Sequence, residues 1–118
     1  MKTRTEYTCP LEFTHDITKG KWKPIILWQL KSNGCSLSGL KSQIKGISQK
    51  VLIEQLNELK EFDMVSKKQF DGYPLKVEYS ITERGLKMLE AVNIMQEIGI
   101  DIMREDGKED ILKAKGLL

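Results

Sequence analysis

Between Leu37 and Ile81 the spacing of apolar positions changes from a helical period to a strand period, and that change predicts the architecture. Leu52, Leu56 and Leu59, flanked by Val51 and Phe62, recur at the three- and four-residue steps of a helix held by one face. Ahead of it, residues 37–44 predict a shorter helix. The corner Lys45-Gly46-Ile47-Ser48 joins the two, with Gly46 where the backbone must bend and Ser48 placed to cap the second helix. Beyond residue 62 the period falls to two, with Val77, Tyr79 and Ile81 alternating with Lys76, Glu78 and Ser80. Residues 64–70 and 75–81 therefore predict two strands, paired as a hairpin through the turn signal Asp71-Gly72-Tyr73-Pro74.

The flanks complete the pattern. Residues 1–8 carry no apolar period and predict a flexible arm. Cys9-Pro10-Leu11-Glu12 opens a short helix, with proline at the first helical position, and Thr18-Lys19-Gly20 interrupts it. Residues 21–31 form the next helix, with Trp22, Ile25, Ile26 and Leu30 inward, Leu27 and Trp28 widening that face, and Ser32-Asn33-Gly34 ending it. The two tryptophans read as core, with ligand stacking near the helix start left open. Thr82 and Glu83 open the longest helix, which runs to about Arg104. Its polar residues follow one stripe, and nearly everything else is apolar, far more than the roughly 100° face that packs a helix on its own core. The excess predicts a dimerisation helix, with Gly99 permitting close approach. A short helix over 109–115 follows. The expected class is α+β, mainly helical: a winged helix-turn-helix with a two-stranded wing and N- and C-terminal dimerisation helices. One domain, 1–118, divides into N-terminal helices (9–32), helix-turn-helix plus wing (36–81) and C-terminal helices (82–118).

Charge adds direction to this scheme. The net charge of the 118 residues is only +2, too small to imply a nucleic-acid partner by itself. Its distribution is uneven: residues 19–76 hold eleven lysines against five acids, whereas residues 77–118 and 1–18 are both net negative. Positive charge thus coincides with the helix-turn-helix and wing, as phosphate contacts require. The outward face of the second helix carries Gln49, Lys50, Ile53, Glu54 and Asn57, with Ser48 at its start. These supply amide and amine groups for base edges, an apolar contact for a thymine methyl, and helix-terminal N–H groups for phosphate. Lys67, Lys68 and Lys76 on the wing are the expected phosphate contacts. The alternative is a winged helix used as a protein-interaction module without specific DNA binding, since one fold hosts several functions, but the basic segment and the lysine-bearing wing count against it.

Together Cys9-Pro10, Gly20-Lys21-Trp22-Lys23, Ile26-Leu27-Trp28, Gly46-Ile47-Ser48-Gln49-Lys50-Val51-Leu52, Gln55-Leu56-x-x-Leu59 and Val77-Glu78-Tyr79-Ser80-Ile81-Thr82 resemble the HxlR-type winged-helix transcriptional regulators, within the MarR-like group, over roughly residues 9–100. The resemblance implies a homodimer on a pseudo-palindromic double-stranded DNA operator beside a neighbouring gene, usually repressing and sometimes activating it. It also implies that some members sense electrophiles or oxidants through a cysteine in the position of Cys9. Members commonly carry a basic residue where this chain has Asn57, and often Thr-Gln where it has Ile53-Glu54, so operator preference does not carry over. Glu54 brings a negative charge toward the groove, where it can accept from a cytosine amino group.

Cys9 precedes a helix N-terminus, where N–H groups and the dipole favour a thiolate, with Arg4 or a lysine as a further cation; the alternative is a small buried hydrophobe. Cys35 reads as structural. An enzyme is not expected. His15, the one histidine, adjoins Asp16 on a helix and points to a different side, and no phosphate loop, metal-spaced Cys/His cluster or dinucleotide fingerprint appears. No cofactor, metal or particular effector is indicated. With no apolar run of transmembrane length and no apolar signal core, the expected location is the cytoplasm, with reduced thiols and no membrane partner.

Overall fold

The computed structural model describes residues 1–117. Its elements in chain order are α1 (Pro10–Thr18), α2 (Trp22–Gln29), α3 (Leu37–Gln43), α4 (Gln49–Glu61), β1 (Val65–Phe70), β2 (Lys76–Ile81), α5 (Glu83–Glu105) and α6 (Glu109–Ala114). The predicted elements are all present, with ends within one or two residues of expectation, where terminal turns fray.

The helix starts have side-chain causes. Ser36, Ser48 and Thr82 each stand just outside α3, α4 and α5 in extended conformation, and each hydroxyl accepts from the backbone N–H three residues on, at 3.0–3.2 Å. Gly46 adopts φ 86°, the left-handed bend expected of it. Ile47, next to it, is buried and ties the corner to the core.

The core lies between α2, α3, α4 and the base of the hairpin. Ile26 and Leu27 of α2 and Leu30 just past its end meet Leu40 of α3 and Leu52, Leu56 and Leu59 of α4, all essentially without exposed surface. Each such side chain contributes about 1.5–3 kcal/mol by leaving water, so the inner face of α4 is firmly seated. Trp22 and Trp28 pack against the same cluster, in keeping with a core role. The two strands pair antiparallel in the register Val65↔Ile81 to Phe70↔Lys76. A short bridge between Cys35 and Tyr79, with both N–H···O bonds at 2.8 Å, sews β2 to the residue just ahead of α3.

The end of α4 is closed by tertiary contacts. Asp63 takes φ 58°, Met64 N–H donates to Leu59 O at 2.9 Å, Thr82 Oγ1 donates to Asp63 O and Arg84 donates to Phe62 O. Gly85 brings α5 directly against the chain leaving α4; a Cβ there would collide with Met64 O and Ile81 Cγ1.

The N-terminal arm is a correction to expectation. Residues 1–8 are seated: Arg4 pairs with Asp16 (Nε–Oδ2 2.7 Å) and Glu12, and Tyr7 meets Phe13 edge-on, which in turn meets Phe62 at the end of α4. Polar and aromatic contacts, which carry no period, hold it down. On α5, Leu89 and Val92 face the core, while Ile94, Met95, Ile98 and Ile102 stand in solvent along one side. Leu112 of α6 is fully buried, so that helix folds back.

Candidate nucleic-acid interface

With its leucines locked inward, α4 turns Gln49, Lys50, Glu54 and Asn57 to solvent. Ile53 is only partly exposed, so it borders that solvent face where the sequence suggested an open apolar contact. Ser48 spends its hydroxyl on the cap of α4, where it accepts from Val51 N–H.

The wing divides the three lysines expected to act together. Alternation puts Val65, Lys67 and Gln69 on one face with Val77, Tyr79 and Ile81, and Lys68 and Phe70 on the other with Lys76, Glu78 and Ser80. Lys67 accordingly lies over the Tyr79 ring at 6.0 Å, whereas Lys68 and Lys76 flank Phe70 at 5.0 and 5.8 Å. All three ammonium groups are exposed, but they form two patches and not one. The hairpin tip itself is apolar and bare: Tyr73 is fully exposed and Leu75 largely so.

Sequence reasoning missed a cleft of about 570 Å³ between α3, the start of α4 and the wing, lined by Ser36, Leu37, Ser38, Lys41, Ser42, Gln49, Leu75 and Val77. Gln49 of the exposed face of α4 and Leu75 of the wing thus share one concave surface with three serine hydroxyls and one lysine. Part of the signal was available in Ser38 and Ser42, which four residues apart fall on one side of a short helix with Lys41 beside them.

Cys9 caps α1 only through its backbone; its side chain is exposed and makes no cap hydrogen bond. Arg4 does not serve it. The guanidinium is committed to Asp16 and Glu12, and those partners hold its pKa above the ordinary value. Hydrogen bonding from Arg4 keeps the Asp16 carboxyl below the usual carboxylate range, and hydrogen bonds from Thr8 do the same for Glu12. Cys35 is half-buried, with its thiol raised by burial and by the nearby Glu78 charge, as fits a structural thiol. His15 is exposed and Asp16 buried, so the pair diverges. Among the described residues no three His, Cys, Asp or Glu side chains gather to hold a metal ion, and no helix is long and apolar enough to cross a membrane.

A capped helix-turn-helix followed by a hairpin sewn to its first helix defines a winged-helix DNA-binding protein. Comparison with known proteins narrows the class. The family model for HxlR-like helix-turn-helix proteins matches residues 17–106. A Fusobacterium mortiferum protein named as the regulatory protein MalR is 41% identical over 100 residues, 84% of this chain and 94% of that one. Among solved structures, the redox regulator HypR in its reduced form has 31% identity and a TM-score of 0.74, covering 90% of this chain and 99% of HypR. A Porphyromonas gingivalis W83 chain assigned to the MarR family of transcriptional regulators has 32% identity and a TM-score of 0.75, covering 84% and 97%. The chain belongs to the HxlR-like helix-turn-helix family, and it is a transcriptional regulator of the helix-turn-helix type.

Proposed function

We propose that this chain is a homodimeric, sequence-specific DNA-binding repressor of the cytoplasm, acting by occupancy of a pseudo-palindromic operator and not by catalysis. The observation that carries the reading is the shared surface of α4 and the wing: Gln49, Lys50, Glu54 and Asn57 stand exposed beside a cleft that Gln49 and Leu75 line together. Two such surfaces, related by a two-fold axis along the bare apolar side of α5, enter successive major grooves about 34 Å apart. Gln49, Lys50, Ile53, Glu54 and Asn57 read base edges, Ser48 places the helix start on phosphate, and Lys67, Lys68 and Lys76 hold the flanking backbone. Residues 9–32 and 82–118 frame the reading unit at 36–81, all within one domain.

The reading extends to a thiol response at Cys9. Its support is the exposed position of Cys9 at the head of α1 and the likeness to HypR, named a redox regulator. A hydroperoxide would oxidise the Cys9 thiol to the sulfenic acid and leave as the alcohol or water.

The test is a mobility shift with duplex DNA from the chain's own promoter region against an unrelated duplex, with and without hydroperoxide. Preference for the promoter duplex, changed by oxidation in the wild type and unchanged in Cys9→Ser, is the expected result. Equal binding to both duplexes removes the operator reading, and an unaltered oxidation response in Cys9→Ser removes the sensor. Absence of binding even at low salt would favour a protein-interaction module.

A further inference from the structure

Among the described residues only Asp16 and Lys23 are charged and buried, and Lys23 has no part in the functions assigned so far. It sits in the first turn of α2, 4% exposed, in a run that is otherwise apolar from Trp22 to Trp28 apart from this residue. Its Nζ donates to Glu58 Oε2 at 2.6 Å and lies 3.8 Å from Met1 Sδ. Glu58 belongs to α4 and is about a quarter exposed. A lysine there is costly. Taking an ammonium and most of a carboxylate out of water costs about what their attraction returns, and replacing such a pair by well-packed apolar residues is often neutral or stabilising.

The pair supplies something the leucines do not. Ile26, Leu27 and Leu30 against Leu52, Leu56 and Leu59 form a close-packed contact whose attraction is non-directional, with no polar group to single out one rotation of the helix. A single short ion pair is directional. Glu58 follows Asn57 by one residue and Glu54 by four, so it stands at the seam between the buried face of α4 and the face that would read DNA. With side-chain tips about 6 Å from the axis, a rotation of α4 by about 20° moves them about 2 Å, enough to break a base-edge hydrogen bond.

We propose that the buried Lys23–Glu58 pair is a positioning device: it fixes the rotation of α4 on α2 and thereby sets operator discrimination, not the stability of the fold. The proposal rests on α4 being the reader helix.

The test uses the full chain and two duplexes of about 30 base pairs, room for two half-sites one helical turn apart. One is the tightest binder recovered by the wild type from a randomised pool, and the other is its scrambled counterpart. The variants are the paired substitution Lys23→Met with Glu58→Met, the charge-exchanged pair Lys23→Glu with Glu58→Lys, and Gln49→Ala. The methionine pair is expected to melt within a few degrees of wild type and to keep its affinity for the scrambled duplex. Its preference for the selected duplex should fall roughly tenfold or more, within the range a misplaced base contact costs. The charge-exchanged pair should regain at least part of that preference. Full discrimination in a folded methionine pair overturns the proposal when Gln49→Ala has lost it. Full discrimination in Gln49→Ala overturns the reader assignment and the proposal with it. A methionine pair that fails to fold also overturns it, since the pair would then be holding the fold.

Discussion

Substituting Ile98 by Glu tests the assembly on which a two-site operator depends. In the protomer Ile98 is 54% exposed, in a stripe with Ile94 (57%), Met95 (66%) and Ile102 (51%). Fully burying an aliphatic side chain contributes about 1.5–3 kcal/mol, so covering the exposed half of Ile98 contributes about 1 kcal/mol. A two-fold interface uses the residue twice, and about 2 kcal/mol corresponds to roughly a 30-fold change in dissociation constant. The introduced carboxylate adds its own desolvation cost wherever it cannot stay wet. A weakening of about 30-fold is therefore the minimum expected. Because the side chain touches solvent and not the core, the variant should melt as the wild type does once dimer dissociation is accounted for.

Sedimentation equilibrium over a range of concentrations measures the effect directly, with circular dichroism as the control for folding. Binding to a duplex bearing one half-site should survive, while the added affinity of the full site is lost. A wild-type chain that sediments as a monomer at concentrations where it binds DNA refutes the argument. So does an Ile98→Glu chain that dimerises as tightly as its parent, which would place the two-fold contact elsewhere.

Each of Lys67→Ala, Lys68→Ala and Lys76→Ala should lower the slope of log affinity against log salt by about 1 per bound protomer; a slope unchanged by one of them removes that lysine from the phosphate contacts. Gly85→Ala drives a Cβ into Met64 O and Ile81 Cγ1 and should cost about 3 kcal/mol, read as a lower urea midpoint with an unchanged slope. Hydrogen bonding to Arg4 depresses the Asp16 pKa, so the stabilisation it gives is complete above the unfolded value of about 4 and is lost as pH falls through the folded one. The melting temperature of wild type should exceed that of Asp16→Asn at neutral pH, and thermal scans toward pH 2.5 should show the gap closing; a constant gap counts against the ion pair.

How far these features were legible depends on whether one periodicity could report them. The inner face of α4 was, because Leu52, Leu56 and Leu59 repeat at helical steps and came out with no exposed surface. The caps at Ser48 and Thr82 and the bend at Gly46 were legible for a similar reason, since each acts within three residues of itself. The wing lysines show a period available but unused: alternation in β1 already assigns Lys67 and Lys68 to opposite faces, and the cross-strand partner Tyr79 decides which is which. The seated arm and the Lys23–Glu58 pair were not legible, because polar and aromatic contacts between distant segments impose no repeat on either partner. A lysine in an apolar run reads as an exposed interruption until the helix that crosses it supplies a carboxylate. The excess apolar surface of α5 is the opposite case. A face left uncovered by its own chain is a property of that chain alone, so composition announces it, and the structure returns Ile94, Met95, Ile98 and Ile102 still in solvent. The features that escaped the sequence are therefore those made by pairing distant segments of the chain, whereas an apolar face that no segment of the chain covers could be read from its own helix.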